Sequence, residues 1–358
     1  MGGLKAAIVG GGFAGLMFSL KLLRAGIDVT LYEEHGRVGY PPHCTGIVSE
    51  RVMKLIGSPA WKSAVSSYRG LYLMGGRRRL QVEVKGKIYK LDRTRLEELM
   101  LEEALSLGLK FRGERVSRVL SSGALEVGSL RFQYDTVILA EGHAGSLRKQ
   151  LSLGFTGRPL RGVNAEYPNR RGLREVLVVF DESISPGFFS WVLGARDLIV
   201  AGLAASSAAI LRQSLAKLER AFRLGERRRV YGGPVLVGPP GERLSSGSVH
   251  VVGDAAGLTK PLTGGGLYPN SLAAELSLRS FERSGDLNSS IALSLEHVAN
   301  RLRRQYVLAR ALLGSRAMGT IIALASLAMA DALLKKVDYD EHEKVFTTVL
   351  LNLISPAS

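Results

Sequence analysis

Lys5–Glu33 reads KAAIVGGGFAGLMFSLKLLRAGIDVTLYE. An apolar run, Ala6–Val9, leads into Gly10-x-Gly12-x-x-Gly15. A helix-period segment to about Ala25, then Gly26 and a second short apolar strand ending on Glu33, complete the unit. Each glycine has a separate task. Gly10 makes the tight turn, Gly12 lets a diphosphate approach the backbone without meeting a Cβ, and Gly15 lets the helix pack close to the sheet. The unpaired N–H groups and positive dipole end of the helix then face the phosphates. Glu33, about 20 residues on, puts a carboxylate where ribose hydroxyls can donate to it. This order of strand, glycine turn, helix, strand and acid predicts dinucleotide binding.

The chain has 358 residues, enough for one to three domains, and an apolar fraction of 46 % that argues against disorder. Its single cysteine, Cys44, excludes an internal disulfide and leaves no thiolate cluster for metal, so no metal site is expected. The first apolar segment is a short strand broken by glycines rather than a signal peptide. Together these features predict a cytoplasmic protein. The formal charge of +16 comes from small clusters such as Arg77–Arg79, Arg170–Arg171 and Arg227–Arg229, without interleaved aromatics. Nucleic acid is therefore not an expected partner. Anionic lipid, an acidic substrate and simple solubility remain as explanations.

Further along, Glu34–Gly46 is too rich in Gly and Pro for a helix and predicts a loop crossing the nucleotide site. Residues 49–57 read as a short helix, and Tyr68–Lys90 alternates as antiparallel strands with turns at Gly75-Gly76 and Lys85-Gly86. Asp92 caps a helix whose leucines at 96, 99, 101 and 105 form an apolar face. Strands are expected at 109–120, 124–127, 130–133 and 136–140, then across 160–203. A helix follows near 206–224, then Tyr231-Gly232-Gly233-Pro234 and a loop. The last parallel strand, Ser248–Val252, precedes a chain that reads as helical to its end.

That last strand runs into a second glycine motif, Gly253-Asp254-Ala255-Ala256-Gly257, followed by Pro261-Leu262-Thr263-Gly264-Gly265-Gly266-Leu267. An acid after a buried strand can bond a ribityl hydroxyl. The glycines bring backbone N–H groups at a helix start close to a flavin ring, where they favour negative charge.

With these motifs the sequence resembles the flavoproteins of the p-hydroxybenzoate hydroxylase fold, and within them the archaeal and plant geranylgeranyl reductases, over roughly residues 5–285. Three motifs match the broad superfamily: Gly10/Gly12/Gly15 with Glu33, the Ala140–Arg148 segment, and Gly253–Gly257 with Pro261 and Gly264–Gly266. Two resemble the reductase branch. Cys44-Thr45-Gly46 is similar to its Cys-x-Gly loop beside the flavin, and Pro186–Leu193 to its substrate-domain signature, P-x-x-[YF]-x-W-x-F-P. The resemblance implies an FAD site made by Gly10, Gly12, Phe13, Ala14, Gly15, Glu33, Glu34, Cys44, Thr45, Gly46, Arg93, Ala140, Glu141, Gly142, Gly253, Asp254, Pro261, Gly264, Gly265, Gly266 and Leu267. There are departures. Glu141-Gly142 stands where superfamily hydroxylases carry Asp-Gly, and Gly145 where they usually carry Ser, which weakens a hydroxylase reading. Leu193-Gly194 replaces the closing Phe-Pro of the signature.

The fold class expected is thus α/β: a Rossmann-like FAD-binding domain (1–66, 92–155 and 247–285), an inserted antiparallel β-sheet substrate domain (67–91 and 156–246) and a helical C-terminal region (286–358). The resemblance implies hydride transfer from reduced FAD to a C=C bond of a geranylgeranyl chain, most readily on archaeal ether-lipid precursors. An aromatic monooxygenase or halogenase of the same fold is the alternative. The electron donor is left open between NADPH, ferredoxin and a deazaflavin. Cys44 is the candidate catalytic residue, as proton donor or as a packing group. Phe189 and Trp191, spaced by two, are expected on one face of a strand, lining an apolar substrate pocket. His143, His250 and His297 have no metal-binding spacing and read as structural. Ala317–Ala330 is an uncharged run of 14 residues, short of the roughly 20 that span a bilayer. A buried helix, a lipid-tunnel wall and an interfacial helix making peripheral contact with the inner face of the membrane all fit it.

Overall fold

The first apolar run and the strands that resemble it assemble into a six-stranded sheet in the computed structural model, which describes residues 3–76, 78–312, 320 and 334–341. Its order is Ser245–Ser246, Val249–Val251, Thr136–Leu139, Lys5–Val9, Asp28–Tyr32 and Lys110–Arg112. All pairings but the first are parallel. Thr136–Leu139 and Val249–Val251 are buried along their whole length, as parallel strands covered on both faces must be. Helices Phe13–Arg24, Arg93–Ser106 and Leu267–Ser284 pack together, and the apolar faces of the first and last join the same core as Ile8, Leu31 and Ile138. Asp92 caps the middle helix as expected, accepting from Arg95 N at 3.1 Å.

A nine-stranded sheet faces this layer. Its order is Arg229–Val235, Leu160–Pro168, Leu198–Ala205, Ser190–Ala195, Val176–Phe180, Ala64–Gly75, Arg78–Leu91 and Leu334–Val337, with Ile47–Ser49 also paired to Arg78–Leu91. It is mostly antiparallel, but Val176–Phe180 runs parallel to Ala64–Gly75, and Leu334–Val337 parallel to Arg78–Leu91. Both parallel pairs join strands separated by long excursions through the rest of the molecule, where no hairpin fixes an antiparallel return. A small sheet, Val116–Val119, Ala124–Val127 and Leu130–Gln133, completes the strands described.

Three stretches differ from or add to the sequence expectation. Lys85-Gly86, expected as a turn, instead lies inside the unbroken strand Arg78–Leu91, where Gly86 takes φ +73° as an irregularity rather than a chain reversal. Tyr231–Pro234, given no element from the sequence, lies within the strand Arg229–Val235. Among the described residues it is an edge strand paired only to Leu160–Pro168, the setting in which proline is tolerated. Gly232 admits the neighbouring backbone, because a Cβ there would overlap the Gly162 carbonyl. The C-terminal region is not helical throughout: Leu287–Leu312 is a helix, but Leu334–Val337 is a strand. The run Ala317–Ala330 lies outside the described residues except for Thr320. Among the described residues, no helix is long and apolar enough to cross a membrane.

Candidate active site

The glycine turn behaves as its spacing requires. Gly10 has φ +107°, and a Cβ there would overlap the Ala140 carbonyl at the end of the adjacent strand. Gly15 is held against the Gly10 carbonyl in the same way. At Gly12, by contrast, a Cβ would meet no protein atom within 4 Å. The space beside Gly12 is therefore a recess. Gly12 caps Phe13–Arg24 with no side-chain hydrogen bond and no acid in the first turn, which leaves the helix N–H groups facing outward.

Glu33 accepts from Gly11 N at 2.6 Å and from His35 N at 2.8 Å, bracing the turn and the loop after it. Glu34 turns away to pair with Arg115 at 3.3 Å. Gly10, Gly15, Glu33, Glu34 and Pro261 are absent from the walls of the adjoining cavity, whereas the other predicted cofactor residues line it.

That cavity, about 550 Å³, lies between the two sheets. The second glycine motif forms one wall. Asp254 is half-buried by area but lies deep among protein atoms. Burial pushes its carboxyl pKa upward, opposed by His43, His143 and Arg93. Asn270, in the first turns of Leu267–Ser284, staples the motif: its Oδ1 accepts from Gly253 N at 2.8 Å, and its Nδ2 donates to Leu258 O at 3.0 Å and Gly266 O at 2.8 Å. Arg148 ties the Ala140–Arg148 segment to the same motif, donating from Nε to Ala255 O at 3.0 Å.

Arg93 opens its helix against the cavity, paired with Glu97 and lying over the Phe13 ring at 5.4 Å. Burial works against its charge, yet Glu97 and the Cys44 sulfur more than restore it, and the guanidinium is held above its usual pKa. Its Nε is buried without a hydrogen-bond partner. A donor left idle in a cavity wall suits an acceptor on a bound molecule. Cys44 lines the same cavity, half-buried, with Gly46 N donating to its Sγ at 3.3 Å.

The opposite wall is apolar and comes from the nine-stranded sheet. Leu71, Leu73, Val82, Val84, Val176 and Val178 line it beside an aromatic group. Phe189 stacks on Phe188 at 4.3 Å, meets Trp191 edge-on at 5.9 Å, and approaches Phe180 at 5.7 Å. Phe189 sits just before the strand Ser190–Ala195 rather than within it, but both predicted pocket aromatics reach the cavity. Gly194 in place of proline has a structural reason: its N–H donates to Glu175 O at 3.1 Å, a bond proline lacks.

Several wall residues were not singled out from sequence. Asn164 and Asn270 act through side-chain amides. Lys260 and Asp340 form a buried ion pair at 3.4 Å, brought together from positions 80 residues apart. His143, read as structural, also lines the cavity, while His250 is structural as expected, bonded to Ser245 and Asn288. Among the described residues no group of His, Cys, Asp and Glu could hold a metal ion.

The NAD(P)-binding Rossmann-like domain family matches residues 8–48. Digeranylgeranylglycerophospholipid reductase 2 of Methanothermobacter thermautotrophicus is 27 % identical over 297 residues, covering 75 % of this chain and 74 % of that protein. Among solved structures, a geranylgeranyl bacteriochlorophyll reductase-like protein from Thermoplasma acidophilum superposes with a TM-score of 0.81 at 16 % identity, covering 99 % of both chains. The myxobacterial chondrochloren halogenase, described as a variant of FAD-dependent halogenases, matches with a TM-score of 0.66 at 15 % identity, over 99 % of this chain and 90 % of its own. The α/β fold, with a Rossmann-like domain, a largely antiparallel second sheet and a cleft between them, is the one this chain shares with those solved structures. In sequence the chain is similar to archaeal proteins named digeranylgeranylglycerophospholipid reductase.

Proposed function

We propose that this protein saturates C=C bonds of geranylgeranyl chains, as carried by archaeal ether-lipid precursors. The observation that carries the reading is a single cavity with two unlike walls, one of glycine-rich backbone with Asp254 and Arg93, the other aliphatic and aromatic. The first wall fits FAD. Gly12 leaves room for a diphosphate at an uncapped helix start, and the idle Arg93 Nε offers a donor. Phe13, Ala14, Ala140–Gly142 and Gly264–Leu267 would complete the cradle, and Asp254 would accept from a ribityl hydroxyl. Reduced FAD, when bound, supplies the hydride. Glu33 and Pro261 would support the cradle from behind, as Gly10 and Gly15 do, and Glu34 contributes nothing in its present pairing.

The chain's own residues have a modest task. Phe189, Trp191 and the valine-rich wall hold an apolar alkene and keep water away. An isolated alkene has no carbonyl to polarise, so no oxyanion hole is needed. Cys44 Sγ–H would deliver the proton to the second alkene carbon and be reprotonated from solvent. The electron donor is external, drawn from NADPH, ferredoxin or a deazaflavin. The +16 charge favours peripheral contact with anionic membrane lipid.

Mass spectrometry of small molecules released from the purified protein, together with turnover of a geranylgeranyl lipid by the chemically reduced protein, tests the reading. FAD and a product heavier by two hydrogens per bond support it. Colourless protein that takes up no added flavin would end it. Flotation on anionic vesicles at low salt checks the membrane contact, which fails if the protein stays in the pellet fractions.

A further inference from the structure

We infer that Asn164 is a positioning residue that fixes the Cys44 loop and Trp191 to one another across the cavity, an inference that rests on the cavity being a reductase site. Asn164 lies in the strand Leu160–Pro168, is 2 % exposed and borders the cavity. Its Oδ1 accepts from Thr45 Oγ1 at 2.8 Å and from Trp191 Nε1 at 3.0 Å, and its Nδ2 donates to His43 O at 3.3 Å. One buried amide thus grips the residues on both sides of Cys44 and the indole of the substrate wall.

The sheet register makes the reach feasible. Asn164 pairs with Gly202, and Gly202 pairs with Trp191, so the three form one row across adjacent strands. Two interstrand spacings separate the outer pair, about 10 Å in all. The indole covers that distance by lying across Gly202. A Cβ on residue 202 would overlap the Val163 carbonyl oxygen and lie 2.7 Å from the indole ring, too close to admit either. Gly202 makes the passage and Asn164 ends it. Burial alone would be satisfied by any local partner for the amide. Here every partner belongs either to the loop carrying the candidate proton donor or to the wall holding the alkene. A misplacement of about 1 Å between reacting groups lowers rates by about a hundredfold, so the amide sets a distance that turnover depends on.

The protein supplies its own reporters. Cys44 is the only cysteine, so alkylation kinetics read that loop alone. Trp61 and Trp191 are the two tryptophans, so a Trp61→Phe background leaves Trp191 emission as a second signal. In the full-length protein, Asn164→Leu is expected to speed iodoacetamide labelling at least tenfold and shift the Trp191 emission. It should also lower kcat at least tenfold with KM changed less than threefold. Thr45→Val should give part of the labelling change with little effect on emission. Asn164→Asp, which retains an acceptor oxygen, should recover the emission. A folded Asn164→Leu protein with wild-type labelling and emission overturns the inference, even if its melting temperature falls. If Asn164→Leu does not fold, wild-type labelling in Thr45→Val overturns it instead. Should both signals respond in a protein that never reduces a geranylgeranyl lipid, the coupling stands and the reductase reading alone is lost.

Discussion

The Glu141 carboxylate occupies the space that a side chain on Gly145 would need. Its oxygens accept from Leu147 N at 2.9 Å and Arg148 N at 2.7 Å, capping the short helix Leu147–Gln150, and a Cβ at 145 would overlap the carboxyl group itself. The two departures from the hydroxylase pattern in this segment are therefore one structural choice. The longer acid folds back as a cap, and only glycine leaves it room.

Gly145→Ser should destabilise the protein by about 1–3 kcal/mol, the usual range for forcing atoms into a packed site. Glu141→Asp, one methylene shorter, should recover part of that loss when combined with it. Urea denaturation of both single variants and the double variant checks this. Strictly additive losses would mean the two positions are not coupled.

Gly12→Ser separates cofactor binding from folding. The residue has an extended backbone, φ −74° and ψ 179°, at a helix N-cap, where serine is preferred, and its Cβ meets nothing in the protein. Stability of the flavin-free form should hold or rise by a few tenths of a kcal/mol, while FAD affinity falls at least about tenfold, because the Cβ enters the space a diphosphate would use. Flavin titration followed by fluorescence quenching reads the second effect. Unchanged affinity would move the diphosphate elsewhere.

Cys44→Ala should leave bound flavin content unchanged and lower turnover of a geranylgeranyl lipid by roughly a hundredfold, the lower end of the range for loss of a general acid. Flavin absorbance and single-turnover oxidation of the reduced protein measure the two separately. Full activity in Cys44→Ala would reduce the residue to a packing group.

Acid stability should depend on His250. The ring is wholly buried, with Nδ1 2.8 Å from Ser245 Oγ and Nε2 3.0 Å from Asn288 Oδ1. Burial lowers its pKa to about 4 from 6.5, with the Asn288 hydrogen bond acting in the opposite direction. Between those values the unfolded chain binds the extra proton. The contribution is therefore fully present above pH 6.5 and is lost as pH falls towards 4, reaching about 3 kcal/mol. Denaturant midpoints at pH 7 and pH 4.5 for the native protein and His250→Gln check it. The variant should lose much of the slope.

The Rossmann half was legible because each of its signals is local. A glycine turn, a helix period and an acid at the end of a strand all lie within the first 33 residues, and the structure assembles them as the spacing implies. The aromatic wall was partly legible, since Phe189 and Trp191 could be paired by spacing, although the strand begins at Ser190. The parallel pairings of the second sheet were not, because strand direction there is set by connections through distant segments. Asn164 and Asn270 were missed for another reason. A side-chain amide acts through space and leaves no period. The available signal was local conflict: an asparagine inside the strand Leu160–Pro168, and another early in a helix, are choices that propensity disfavours and a site can justify.

The strand Leu334–Val337 lies along the far edge of the sheet that carries the aromatic wall. During synthesis Arg78–Leu91 therefore waits through more than two hundred residues of translation before that neighbour emerges. Until then the stretch around Val82 and Val84, which Ile47–Ser49 does not cover, is an open template for another chain. The oily chamber is finished late, and a nascent chain stalled short of residue 334 would present that edge to a chaperone or to an aggregate.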